Sequence, residues 1–168
     1  MQYAVEMKNV KKIYDSGLGE QKKPALDNLN LSILKGSIFG LLGPNGAGKS
    51  TAINILAGLT KKTGGTVIVW GNNQDLYPQK AKACLGVVPQ ELNLDPFLTP
   101  REALEVQAGL FGIKKVGRRT DEILRKVGLH SVSNAYARTL SGGMRRRLLM
   151  AKALVHNPPL LILDEPTA

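Results

Sequence analysis

One run constrains this chain more than any other: Gly43-Pro44-Asn45-Gly46-Ala47-Gly48-Lys49-Ser50. The short apolar stretch before it, residues 37–42, reads as a buried strand that enters the loop directly. Residues 49–59 after it read as a helix, closed by Gly58 and the Gly64-Gly65 turn. A strand that turns through glycines straight into a helix begins an α/β unit, so all-helical and all-β folds are set aside at once.

The pattern G-x-x-x-x-G-K-S in that context is a phosphate-binding loop. Glycines lack Cβ atoms, so successive backbone N–H groups can converge on phosphate oxygens, and the helix N-terminus adds partial positive charge. Lys49 can reach the β- and γ-phosphates, and the Ser50 hydroxyl can ligate Mg²⁺. The bland alternative is a glycine-rich turn with an incidental lysine.

The rest of the chain agrees with a layered α/β domain. Residues 3–10 and 28–34 read as a peripheral antiparallel strand pair, the second alternating Leu29, Leu31 and Ile33, around a polar, flexible stretch at 15–24. Residues 66–70 form another strand and 85–88 a buried one. From 99 to 137 the pattern turns helical: Thr99-Pro100-Arg101-Glu102 is a capping box, and a second helix over 120–127 ends at Gly128. Ser141 is placed to cap a third helix whose Met144, Leu148, Ala151 and Val155 share a face, stopped by Asn157-Pro158-Pro159. Residues 160–163 are the last strand. Strands alternating with helices imply a parallel sheet, with residues 99–140 as a helical insert in a core made of 1–98 and 141–168.

At 168 residues with 43% hydrophobic content, the chain can bury an ordinary single-domain core. No apolar run approaches the roughly 18 residues of a membrane span, and residues 1–12 lack the apolar segment of a signal peptide. The lone Cys84 cannot form an internal disulfide, fits a reducing compartment and reads as a small packing residue. The net charge of +10 is spread over short clusters without interleaved aromatics, so most of it reads as solvated surface rather than a nucleic-acid platform.

Leu160-Leu161-Ile162-Leu163 delivers Asp164-Glu165 at the carboxyl end of a buried strand, where open α/β sheets bind ligands. Asp164 suits the Mg²⁺ shell, and Glu165, one residue farther out, suits polarising an attacking water. Leu140-Ser141-Gly142-Gly143 offers a serine cap, two glycines and a helix N-terminus to an anion. Seen alone, that segment is simply a capped loop.

In this order the motifs resemble the nucleotide-binding subunit of an ATP-binding cassette (ABC) transporter. Gly43 to Thr51 resembles the family's Walker A motif and Leu160 to Glu165 its Walker B. Leu140-Ser141-Gly142-Gly143-Met144 resembles the signature that separates this family from other phosphate-loop ATPases. The resemblance implies ATP and Mg²⁺ as ligands. It also implies a second nucleotide-binding domain closing head to tail, so that Ser141, Gly142 and Gly143 contact the γ-phosphate held by the partner. A separate transmembrane permease follows, with the subunit peripheral on the cytoplasmic face of the membrane and no direct nucleic-acid partner.

By the same resemblance Gln90 is the Q-loop glutamine that senses Mg²⁺ and the γ-phosphate, and Tyr14 is the aromatic that stacks on adenine. Seen alone, Gln90 is a turn residue after Pro89, and Tyr14 a core or surface tyrosine. Met144 departs from the family's frequent glutamine. Leu-Ser-Gly-Gly-Met followed by Arg145-Arg146-Arg147 most resembles cassettes of multidrug- and polysaccharide-type exporters, and the arginine run faces solvent, acidic groups or a partner.

The expected function is ATP hydrolysis at the dimer interface to drive solute export, with Lys49, Gln90 and Glu165 as catalytic residues and Ser50, Gln90 and Asp164 around the metal. Two other readings remain: a soluble cassette ATPase acting on ribosomes or DNA, and a nucleotide-binding remnant without turnover. The family's aspartate loop, switch histidine and one central strand are expected beyond Ala168. Neither His130 nor His156 can be that histidine, and His156 is expected to sit exposed or at a helix C-terminal dipole. Without the central strand, the 168-residue chain alone is expected to be poorly stable and weakly active.

Overall fold

The computed structural model describes residues 2–14 and 24–164. The expected flexible stretch therefore lies, but for Pro24, outside the described residues, as does Glu165. The chain divides into two compact units, Met1–Cys84 and Leu85–Ala168.

The first unit is built on a four-stranded antiparallel sheet in the order β2-β1-β3-β4. Its strands are β1 (Tyr3–Lys12), β2 (Leu26–Leu34), β3 (Gly64–Val69) and β4 (Asn72–Asn73). β1 is central, pairing Val5 with Ile33 on one side and with Val69 on the other. In β2 the alternation holds: Leu29, Leu31 and Ile33 are half-buried between exposed Asn30, Ser32 and Leu34. Val5, Met7, Val10, Val67 and Val69 are buried, as are Ala52, Ile55 and Leu56 of helix α1 (Lys49–Leu56). A short helix, α2 (Pro78–Ala83), went unforeseen; Pro78 at its first position is its one sequence signal.

One expected element is absent. Residues 37–42 form no strand, and Ile38 and Leu42 are almost wholly exposed, at 104% and 93%. A strand exists only through the ladder it joins, and no backbone partner pairs with residues 38–42 among the described residues. Apolar side chains alone do not make an isolated segment a strand.

The second unit carries the parallel element: β5 (Leu85–Val88) and β6 (Leu160–Leu163) pair in register, Leu85 with Leu160 through Val88 with Leu163. β6 is half-buried rather than buried, with Leu161 and Leu163 exposed. Three helices complete it: α3 (Pro100–Leu110), α4 (Thr120–Lys126) and α5 (Gly142–Leu154). The capping box forms as read, with Thr99 accepting from the Glu102 amide and the Glu102 carboxylate accepting from the Thr99 amide. The Thr99 amide and then its hydroxyl, both donating to the Glu102 carboxylate, hold that carboxyl below its ordinary range. The core joins Leu104 and Ala108 of α3, Ile123 and Leu124 of α4, Leu148 and Ala151 of α5, and Val155 at its C-cap. Met144 packs against it, so the apolar face read from the sequence is the one buried.

Gly86 lets α5 approach the strand. A Cβ there would lie 2.4 Å from the Ala153 carbonyl oxygen and 2.9 Å from Pro158 Cγ. His156 sits directly after the C-cap of α5, at the helix C-terminus, and is half-buried rather than exposed. Its ring stacks on Phe111 at 3.7 Å between centroids, and its Nε2 lies 2.8 Å from the Leu85 carbonyl oxygen. A carbonyl only accepts, so the proton sits on Nε2, and Nδ1 is buried without a partner among the described residues. Burial lowers the imidazole pKa, opposed by the bond to Leu85.

Candidate functional site

In the first unit the glycine loop ends at Gly48, whose φ of 88° places it in the left-handed region as the N-cap of α1. A Cβ at Gly48 would sit 2.6 Å from the Ala25 carbonyl oxygen and 2.7 Å from Leu26 Cδ2, so only glycine lets the loop press on the start of β2. No side chain caps α1, and the first intrahelical bond at this end runs from the Ala52 amide to the Gly48 carbonyl at 2.9 Å. The amides of Lys49, Ser50 and Thr51 therefore point out of the helix N-terminus, which makes an anion site.

Lys49 is folded over its own loop: Nζ donates to the Gly43 carbonyl at 2.6 Å and to the Pro44 carbonyl at 2.8 Å. The ammonium is thus held above the turn that would surround a phosphate. Pro44, Asn45, Gly46 and Ala47 are exposed along the rim, with Ala47 N donating to Pro44 O at 3.2 Å and Gly46 at φ 79°. Ser50 is exposed and Thr51 half-buried in the first turn of α1.

Lys12, two residues before Tyr14, is bonded to the residue that borders this loop. The Ala25 amide donates to the Lys12 carbonyl at 2.8 Å, and Ala25 is the residue against which Gly48 packs. The Tyr14 ring, half exposed, lies 4.6 Å from the Lys12 ammonium. Thr63 fixes the chain just before it, accepting from the Ile13 amide at 3.0 Å. The roles of Ala25 and Thr63 were illegible in the sequence, because both act through backbone groups of residues far away in the chain.

In the second unit Gln90 and Asp164 lie past the carboxyl ends of β5 and β6. Asp164 continues the ladder, its amide donating to the Val88 carbonyl at 3.0 Å, while Gln90 is exposed two residues past β5. Ser141 is the N-cap of α5, its Oγ accepting from the Met144 amide at 3.3 Å, with Gly142 and Gly143 exposed in the first turn. Ser141 therefore spends one acceptor on its own helix and presents the hydroxyl beside two bare glycines.

The arginine run divides its duties. Arg146 Nη1 donates to the carbonyls of Pro89 at 2.7 Å and Gln90 at 3.0 Å, and Nη2 to that of Asp164 at 3.4 Å. Arg147 Nη1 donates to the Val127 and Gly128 carbonyls at the end of α4. Other basic clusters pair locally, as in Lys62–Asp75 at 2.7 Å and Arg118–Glu105 at 2.6 Å. Cys84, half-buried, lies 3.7 Å from Asn72 Nδ2, and burial pushes its thiol pKa up.

The Ser50 hydroxyl in the first unit and the Asp164 carboxylate in the second are each hard oxygen donors of the kind Mg²⁺ takes. Among the described residues no helix is long and apolar enough to cross a membrane.

Residues 26–168 match the ABC transporter family. The chain belongs to that family. It is 42% identical over 165 residues to the Nod factor export ATP-binding protein I of Cupriavidus metallidurans, covering 97% of this chain and 52% of that protein. It is 41% identical to the linearmycin resistance ATP-binding protein LnrL of Bacillus subtilis, covering 97% of this chain and 51% of that protein. The cassette thus spans about half the length of these relatives. Among solved structures it resembles a dimeric ATP-binding cassette in a post-hydrolysis state bound to ADP and Pi, with a TM-score of 0.80 and 35% identity. That likeness covers 97% of this chain and 74% of the other. The fold is that of an ABC cassette, a mixed α/β structure with an antiparallel sheet and helices.

Proposed function

We propose that this cassette is the ATP-binding subunit of an exporter, hydrolysing ATP between two cassettes to drive a solute through a separate membrane permease. The observation that carries the reading is the loop itself: Gly48 in the left-handed region capping α1, with the Lys49 ammonium held over the turn. Export is supported by relatives named for Nod factor export and linearmycin resistance. Pairing is supported by the dimeric state of the structural relative bound to ADP and Pi. Such a subunit works peripherally, at the cytoplasmic face of the membrane that holds its permease.

In this reading the outward amides of α1 and Lys49 bind the β- and γ-phosphates, moving the ammonium from loop carbonyls to phosphate oxygens. Tyr14 offers a π-face to the base with little discrimination among bases. Mg²⁺, when bound by Ser50 and Asp164 with Gln90 nearby, supplies charge neutralisation at the phosphates. Glu165 orients and deprotonates the attacking water, and Ser141 to Gly143 donate to the γ-phosphate on the partner cassette.

The test is phosphate release from ATP by the full-length native protein. Mg²⁺-dependent release that is abolished in Glu165→Gln while ATP still binds supports the proposal. ATP binding without release, even with permease present, makes the chain a nucleotide-binding remnant instead.

A further inference from the structure

We propose that Arg146 is a positioning residue that locks the signature helix to the catalytic ends of both parallel strands, so that Gln90, Asp164 and the Ser141–Gly143 turn move as one piece. The inference rests on the ATPase reading above and adds a residue to it.

The geometry is specific to one of three neighbouring arginines. Arg145, Arg146 and Arg147 stand on successive positions of α5, about 100° apart around the axis. Only Arg146 is shown bonded to β5 and β6: its guanidinium reaches the carbonyls of Pro89 and Gln90 past β5 and of Asp164 past β6. Arg147 serves the end of α4. Arg146 lies in the second turn of α5. The planar fork satisfies acceptors on two chain segments at once, which a lysine ammonium on a flexible stem does not reproduce.

The consequence is a mechanical link within one subunit. Gln90 and Asp164 belong to the nucleotide site of their own chain, whereas Ser141 to Gly143 complete the site of a partner. A displacement at the strand ends on phosphate release is passed through the guanidinium to the first turns of α5.

The test compares Arg146→Gln, Arg146→Lys and Arg147→Gln in the full-length native protein. Amide hydrogen exchange reads the lock without reference to turnover: exchange in peptides spanning 88–91 and 160–164 rises in Arg146→Gln and stays at wild-type rates in Arg147→Gln. The Asp164 amide, bonded to Val88, is the most direct reporter. In steady-state assays kcat falls about ten- to a hundredfold in Arg146→Gln, the order of loss when reacting groups shift by an ångström. KM for ATP and metal-free ATP affinity stay near wild type, and Arg146→Lys recovers the smaller part of the loss. Unchanged exchange in folded Arg146→Gln overturns the inference, as does wild-type kcat. A parallel loss of metal-free ATP affinity also overturns it, by making Arg146 a binding residue. A wild-type protein without turnover sinks the ATPase reading, and the exchange result then decides the lock alone.

Discussion

In the proposed ATPase, Lys49 is the residue on which most of the phosphate chemistry converges, and its bonds to Gly43 and Pro44 are the ones a nucleotide would displace. Replacing it removes charged hydrogen bonds worth about 1.5–3 kcal/mol each, so Lys49→Ala should weaken ATP binding by at least about tenfold, measured by titration calorimetry. Gly48 is a stricter case. Gly48→Ala forces a Cβ against the Ala25 carbonyl at a positive φ, and strain of that kind costs about 1–3 kcal/mol. A lower melting temperature together with weaker ATP binding is the expected result; an unchanged melt contradicts the packing described for the loop. Arg146 shows the limit of reading residues singly. Its sequence context left solvent, acid and partner open, and among the described residues it donates to three backbone carbonyls, which carry no side-chain signal.

Elements were legible where the cause of structure is local. Thr99, Pro100 and Glu102 announce α3, Gly128 ends the turn after α4, and Ser141 caps α5, because caps act within one turn. Thr99→Ala should therefore cost about 1 kcal/mol, visible as a shifted denaturant midpoint. The strand at 37–42 fails for the opposite reason: its existence depends on ladder partners that no local pattern encodes. His156 belongs with it, since its contacts Phe111 and Leu85 are distant in sequence. Its depressed pKa gives a signed prediction. The unfolded imidazole takes up a proton near its ordinary 6.5 and the folded one only at lower pH. Stability is then fully present above that value and is lost as pH falls through the window below it. His156→Phe, which keeps a ring against Phe111, should flatten the melting temperature between about pH 7 and pH 5. An equally steep profile in the variant places the titration elsewhere.

For the whole molecule, the motifs divide by ownership: the phosphate loop and Tyr14 lie in one unit, and Gln90, Ser141 to Gly143 and Asp164 in the other. The order of the motifs made the family legible, and the family match over residues 26–168 agrees. The central claim is that Walker A of one cassette works with the signature of another. Lys49→Ala and Ser141→Arg variants of the full-length protein, each inactive alone, test it when mixed. A mixed dimer pairs both defects in one site and leaves the other with an intact Lys49 and an intact Ser141. The account predicts that Mg²⁺-dependent phosphate release returns on mixing; a mixture as inactive as its components would contradict it.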